Sequence, residues 1–128
     1  MTPGEPVVRV FDGGRNEYTA AAANNRSLEQ EVLRVGPLDD GSMAVVECST
    51  SGGRPQPDVK WMNGTHVLRN KISISTNPDS SMNVTSTAKF IISRYDLGSV
   101  LTCIVSNNAT HHPLSRQVSF DVRGMRAD

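Results

Sequence analysis

From residue 42 onward, apolar and polar residues alternate in short runs rich in Val, Ile and Thr. Clusters of Gly, Pro, Asn, Asp and Ser separate the runs about every ten residues, the punctuation of an all-β sandwich or barrel. The clearest run, 42–50, sets Ala44, Val46 and Cys48 on one face and Met43, Val45 and Glu47 on the other, because successive strand residues point to opposite sides. A second strand at 59–62 carries Val59 and Trp61 on its inward parity and ends at Asn63-Gly64, a dipeptide suited to a tight turn. The Ile72-Ser73-Ile74-Ser75 stretch alternates as a half-buried strand does. Residues 84–92 form a longer run, and 100–106 turn Leu101, Cys103 and Val105 inward. The last run, 114–122, places Leu114, Val118, Phe120 and Val122 on one parity; Arg116 shares it and is expected to emerge at the sheet's end.

The first part of the chain has a different texture. Residues 7–11 read as a strand closed by the Asp12-Gly13-Gly14 turn, and the apolar positions Val32, Leu33 and Val35 read as another strand before Gly36-Pro37. Between them lies an Ala/Asn-rich stretch with little to pack, in which Ser27-Leu28-Glu29-Gln30 fits a helix capping box. The organisation this predicts is an N-terminal edge strand plus a poorly structured insertion over 1–30, a domain over 31–122, and a tail over 123–128.

Cys48 and Cys103 each occupy an inward position on an alternating strand, and Trp61 is inward on the strand after Cys48. A cystine joining two sheets about 10 Å apart, with an indole filling the space beside it, is the hallmark of immunoglobulin-type sandwiches. The alternative is a pair of free buried thiols acting as small apolar groups. Strand parity and the position of Trp61 favour the bond, which implies an oxidising compartment, extracellular or luminal. The predicted fold is all-β: an immunoglobulin-like sandwich of about seven antiparallel strands in two sheets.

Composition narrows the functional classes. The 128 residues carry 13 Lys+Arg against 13 Asp+Glu, and a neutral chain lacks the basic field of a nucleic-acid binder. No apolar run approaches the roughly 20 residues needed to span a bilayer, so no direct membrane contact is expected, and the start shows no basic and apolar leader. Set beside the cystine, the missing leader and anchor read as losses from a longer protein. Asn25, Asn63, Asn83 and Asn108 each open an Asn-x-Ser/Thr sequon in a predicted turn, insertion or strand end, with Asn63 and Asn108 the preferred acceptors.

The stretches Gly36-Pro37-Leu38-Asp39-Asp40-Gly41, Val46-Glu47-Cys48 and Ser51-Gly52-Gly53-Arg54-Pro55-x-Pro57-x-Val59-x-Trp61 resemble CD80-like C2-set immunoglobulin domains. So does Ser93-Arg94-Tyr95-Asp96-Leu97-Gly98-Ser99-x-Leu101-Thr102-Cys103-x-x-Ser106-Asn107. The arrangement is most similar to the arthropod sidestep-like cell-surface receptors and more distantly to nectin-like ones. Leu101 departs from the many immunoglobulin domains that place a tyrosine-corner Tyr two residues before the second cysteine. The resemblance implies an extracellular, non-catalytic module of a single-pass adhesion or axon-guidance receptor. It would act in recognition or as a spacer, with beaten-path-like immunoglobulin proteins as the partner class. A secreted immunoglobulin protein of innate defence, binding microbial or glycan surfaces, is the alternative.

Enzymatic readings find little support. His111-His112 would need a third ligand at metal spacing, His66 lies in another turn, and no Gly-x-Ser-x-Gly elbow is present. Asp12-Gly13-Gly14 and Asp39-Asp40-Gly41 lack the further carboxylates of a calcium loop, and turn chemistry accounts for them. No cofactor is expected. Asp96 could pair structurally with Arg69 or Arg94. Strand parity leaves Lys60, Met62, Thr102, Ile104, Gln117 and Ser119 facing outward on one sheet, an apolar centre with a polar rim such as a protein interface presents.

Overall fold

Among the described residues the chain forms ten strands: β1 (Val7–Asp12), β2 (Asn16–Ala20), β3 (Val32–Asp39), β4 (Met43–Gly53), β5 (Asp58–Asn63), β6 (His66–Val67), β7 (Lys71–Thr76), β8 (Met82–Ile91), β9 (Val100–Ser106) and β10 (Leu114–Arg123). The structure, a computed structural model, describes residues 3, 4, 6–12, 16–20, 32–93, 100–108 and 112–123. Two five-stranded sheets face each other, in the orders β2-β1-β4-β8-β7 and β3-β10-β9-β5-β6. Neighbours run antiparallel except β3, which lies parallel to β10. The fold is an all-β immunoglobulin-like sandwich.

Its core is built from the inward parity of each strand. Val46 and Cys48 of β4, Trp61 of β5, Leu101, Cys103 and Val105 of β9, and Val118 of β10 are all fully buried. The Cys48–Cys103 disulfide joins β4 in one sheet to β9 in the other, with Cα atoms 6.4 Å apart. Beside it, the Trp61 Nε1–H donates to the Ser86 carbonyl of β8 at 3.2 Å, a second link between the sheets. The Asn70 side-chain amide donates to the Ser86 hydroxyl at 2.6 Å, so this buried serine has a partner. Farther along, the rings of Phe90 and Phe120 stack at 5.5 Å and close the core between β8 and β10.

Two glycines explain motifs that the strand pattern leaves unexplained. A Cβ on Gly53 would overlap Pro57 Cγ and would lie 3.2 Å from Pro3 Cβ. The Gly53 backbone, Pro57 and Pro3 are all buried, so the Gly-Gly-Arg-Pro-x-Pro run is a packed corner leading into β5. The N-terminal segment is tied there as well: Gly4 N–H donates to the Ser51 carbonyl at 2.7 Å, and the Thr50 hydroxyl donates to the Gly4 carbonyl at 2.7 Å. Gly36, at φ +130°, passes the β10 bulge so closely that a Cβ would meet the Asp121 carbonyl oxygen at 2.5 Å.

The structure differs from the sequence reading in three places. Asn16–Ala20, assigned to a poorly structured insertion, is a strand that pairs with β1 and covers its free edge. β1 is therefore an inner strand, and the strands number more than seven. Arg116 does not emerge at the sheet's end: it is 4% exposed, and its register partner is Cys103, which fixes it on the inward face. β7 has no buried face: all six of its residues are exposed, Ile72 and Ile74 at 42% and 46%, whereas alternation predicts one covered side. The capping box at 27–30 lies outside the described residues.

Gly53→Ala should destabilise the domain by about 1–3 kcal/mol, the usual range for an overpacked site. Urea unfolding followed by Trp61 fluorescence would read this as a lower midpoint at unchanged slope. An unchanged midpoint would mean that the corner is not closely packed in solution.

Candidate functional site

The outer face of the β3-β10-β9-β5-β6 sheet gathers all six residues that strand parity singles out. Met62 pairs with Thr102, and Thr102 with Gln117; Lys60 pairs with Ile104. Ser119 lies one step further along β10, opposite Val100. Each is part-exposed, alternating with the buried residues of its strand. The buried partners Val59, Trp61, Leu101, Cys103 and Val118 hold the opposite parity, and this orients the outer set.

The face extends beyond those six. Gln117 pairs with Val32 and Ser119 with Arg34 across the parallel β3, and Met62 pairs with Val67 of β6. One row thus runs Val32, Gln117, Thr102, Met62, Val67 across the whole sheet. At about 4.8 Å per strand, five strands span about 19 Å. Arg34 is exposed at one border, and at the other Lys60 Nζ lies 4.0 Å from Asp58 Oδ2 in an exposed pair. Sequence reasoning missed Val32 and Arg34: their parity is readable relative to Val35, but their place beside β10 is a long-range parallel pairing with no local signal.

Such a face offers apolar contact and rim hydrogen bonds. Among the described residues, no group of three or more His, Cys, Asp or Glu side chains is placed to hold a metal ion. His66 and His112 are exposed on separate segments, and His111 lies outside the described residues. Of the proposed pairing with Asp96, only Arg69 is described, and it is exposed; Asp96 and Arg94 are outside the described residues. Leu101 is fully buried at the position of the absent corner tyrosine and serves packing alone.

Three sequon asparagines are described and differ in setting. Asn63 ends β5 at a hairpin, where it pairs with His66. Asn108 is exposed after β9, and Asn25 lies outside the described residues. Asn83, in β8, is woven into the turn before it. Its side chain donates to Asn77 Oδ1 at 3.0 Å and to Ser75 Oγ at 3.3 Å. It accepts from Asn77 Nδ2 at 3.1 Å and from the Gly52 N–H at 3.2 Å.

The same turn holds Asp79. The Ser81 hydroxyl donates to Asp79 Oδ1 at 2.6 Å and the Ser81 N–H at 3.0 Å. These bonds, the hydroxyl's first and then the amide's, favour the charged carboxylate and hold its pKa below the ordinary aspartate value, with a smaller contribution from Arg54. A folded pKa below the unfolded one stabilises the fold above the unfolded value of about 3.9, and the contribution fades as pH falls through the folded pKa. Asp79→Asn should therefore lie below wild type in stability at neutral pH, with the gap closing on acidification below about 3.9. Carboxyl-carbon NMR titration of Asp79 checks the sign; a midpoint at or above the ordinary value would contradict it.

The model of the CD80-like C2-set immunoglobulin domain matches residues 21–113. No curated protein matches the chain. Among solved structures, the full ectodomain (Ig1–Ig3) of mouse nectin-like molecule 4 is similar at TM-score 0.68 and 23% identity, over 94% of this chain and 34% of that one. The D1-D2 portion of Rst is similar at TM-score 0.62 and 18% identity, over 73% and 45% of the two chains. Bovine butyrophilin gives TM-score 0.56 at 13% identity, over 91% and 43%. These likenesses are likenesses of fold, and the chain spans about one third of the nectin-like ectodomain.

Proposed function

The chain belongs to the CD80-like C2-set immunoglobulin family, and from that membership we propose that it is a non-catalytic, extracellular recognition module. In this reading it is one unit of a single-pass adhesion or axon-guidance receptor of the sidestep-like kind. It contacts a partner protein through the outer face of its β3-β10-β9-β5-β6 sheet. The observation that carries the proposal is the placing of Met62 and Ile104 on adjoining strands, where solvent alone would favour polar residues. Around them Lys60, Thr102, Gln117 and Ser119 supply the polar rim, the composition typical of a protein contact. The cross-sheet disulfide supports the extracellular setting, since such bonds persist in oxidising compartments.

Beaten-path-like immunoglobulin proteins are the proposed partner class, on the strength of the sidestep-like motifs around Gly53–Trp61 and Cys103–Asn107. Surface plasmon resonance against a panel of immunoglobulin-superfamily ectodomains that includes this class tests the reading. Changing Met62 and Ile104 together to Lys should weaken binding by about tenfold or more, as loss of a central apolar anchor does. Both side chains lie outside the core, so the melting temperature should stay within a degree or two of wild type. Equal binding by the double variant would rule out this face as the contact.

A further inference from the structure

We infer that Asn63 is an N-glycan attachment site of this domain and that Asn83, which carries the same sequence signal, is not one. Both belong to complete sequons, Asn63-Gly64-Thr65 and Asn83-Val84-Thr85, so sequence alone treats them alike. The difference lies in what each side-chain nitrogen already does.

N-glycosylation forms a bond between asparagine Nδ2 and the anomeric carbon of an oligosaccharide donor carried on a polyisoprenyl pyrophosphate. The sugar–phosphate bond breaks, the lipid pyrophosphate leaves with its electron pair, and Nδ2 gives up one proton. A glycosylated asparagine therefore keeps one N–H and gains a bulky group on the same atom. Asn83 Nδ2 uses its two hydrogens on Asn77 Oδ1 and Ser75 Oγ, at 3.0 and 3.3 Å. A sugar there removes at least one of these bonds and occupies the space between β8 and the 77–81 turn. It also disturbs Asn83 Oδ1, which accepts from Gly52 N–H at 3.2 Å and so ties β8 to the Gly52–Gly53 corner.

Asn63 has none of these commitments. It is part-exposed, its side chain makes no hydrogen bond among the described residues, and the following Gly64 and Thr65 are exposed in the hairpin before β6. Its register partner is Leu101, on the inward parity, whereas Met62 and Thr102 hold the outward one. At the last position of β5, a glycan on Asn63 leaves from the end of the sandwich and does not cross the outer face. Two sequons on the same scaffold thus serve different ends: one carries sugar, the other uses its amide to build a turn.

Transfer acts on the chain as it enters the secretory pathway, before folding is complete, so the fold selects which glycosylated chains reach the medium. The inference rests on the extracellular reading above. A supplied secretory leader puts the chain in that pathway regardless, so failure at Asn63 counts against the site and not against that reading. The test is to secrete the full 128-residue chain from eukaryotic cells blocked in complex-glycan processing. Endoglycosidase H is then used to trim each glycan to a single N-acetylglucosamine, and the peptides are mapped by mass. The expected result is the sugar remnant on Asn63 and an unmodified Asn83. Asn63→Gln should lose one glycan from the intact mass and remain secreted, whereas Thr85→Val, which destroys the second sequon but leaves the Asn83 amide, should lose none. A remnant on Asn83 in secreted protein, or its absence from Asn63, overturns the inference. Spontaneous deamidation at Asn63-Gly64 alters the mass without adding sugar, so it cannot imitate the positive result.

Discussion

The cross-sheet tie made by Cys48, Cys103 and Trp61 is the constraint on which the other features rest. A sandwich of short strands has little local stability: each sheet buries one face only, and that face finds its cover on strands far away in sequence. The cystine removes much of the freedom of the unfolded chain at a separation of 55 residues, while the indole fills the adjoining volume and bonds to the Ser86 carbonyl opposite. Two independent chemistries, covalent and hydrogen-bonded, thus meet at one place between the sheets. A slip of one residue in β4, β5 or β9 would turn Cys48, Trp61 or Cys103 outward and break the arrangement.

That registration is also what makes an outer face. Once Trp61 and Cys103 are inward, Met62, Thr102 and Ile104 have no choice of side, and β10 adds Gln117 and Ser119 in the same plane. The core therefore specifies, through strand parity, which residues make up the outer face. At the opposite border the sandwich is left open. There Ile72 of β7 and Val67 of β6 line a groove of about 320 Å³ with Pro57, Val59, Asn70 and Val84.

What could be read from the sequence follows the same division. Period-two alternation and the Cys–Trp–Cys arrangement located β4, β5, β9 and β10, because burial on one face leaves a pattern in the residues themselves. Asn16–Ala20 was illegible: its residues, Asn-Glu-Tyr-Thr-Ala, lack an apolar alternation, and it exists as a strand by pairing with β1. Ile72 and Ile74 have the pattern of a half-buried strand, but β7 is the last strand of its sheet and is exposed throughout, and alternation within a strand does not encode its place at a sheet edge. A charge on an inward parity is costly, so exit at the sheet's end is the expectation for Arg116; instead it stays inside at the register of Cys103. In the site, the six antiparallel positions were readable from parity, whereas Val32 and Arg34 joined them through a parallel neighbour distant in sequence. The role of the Asn83 amide was invisible, since a sequon looks the same whether its nitrogen is free or bonded.

Reductive unfolding, followed through the emission of the single tryptophan, Trp61, tests the central tie most directly. With the cystine intact, one cooperative urea transition is expected, in which Trp61 moves from a buried, disulfide-adjacent site to solvent. Reduction should lower stability by about 2–5 kcal/mol, the range for removing a native disulfide from a small secreted domain. Equal stability with and without reductant, or thiols that react freely in the folded protein, would contradict it.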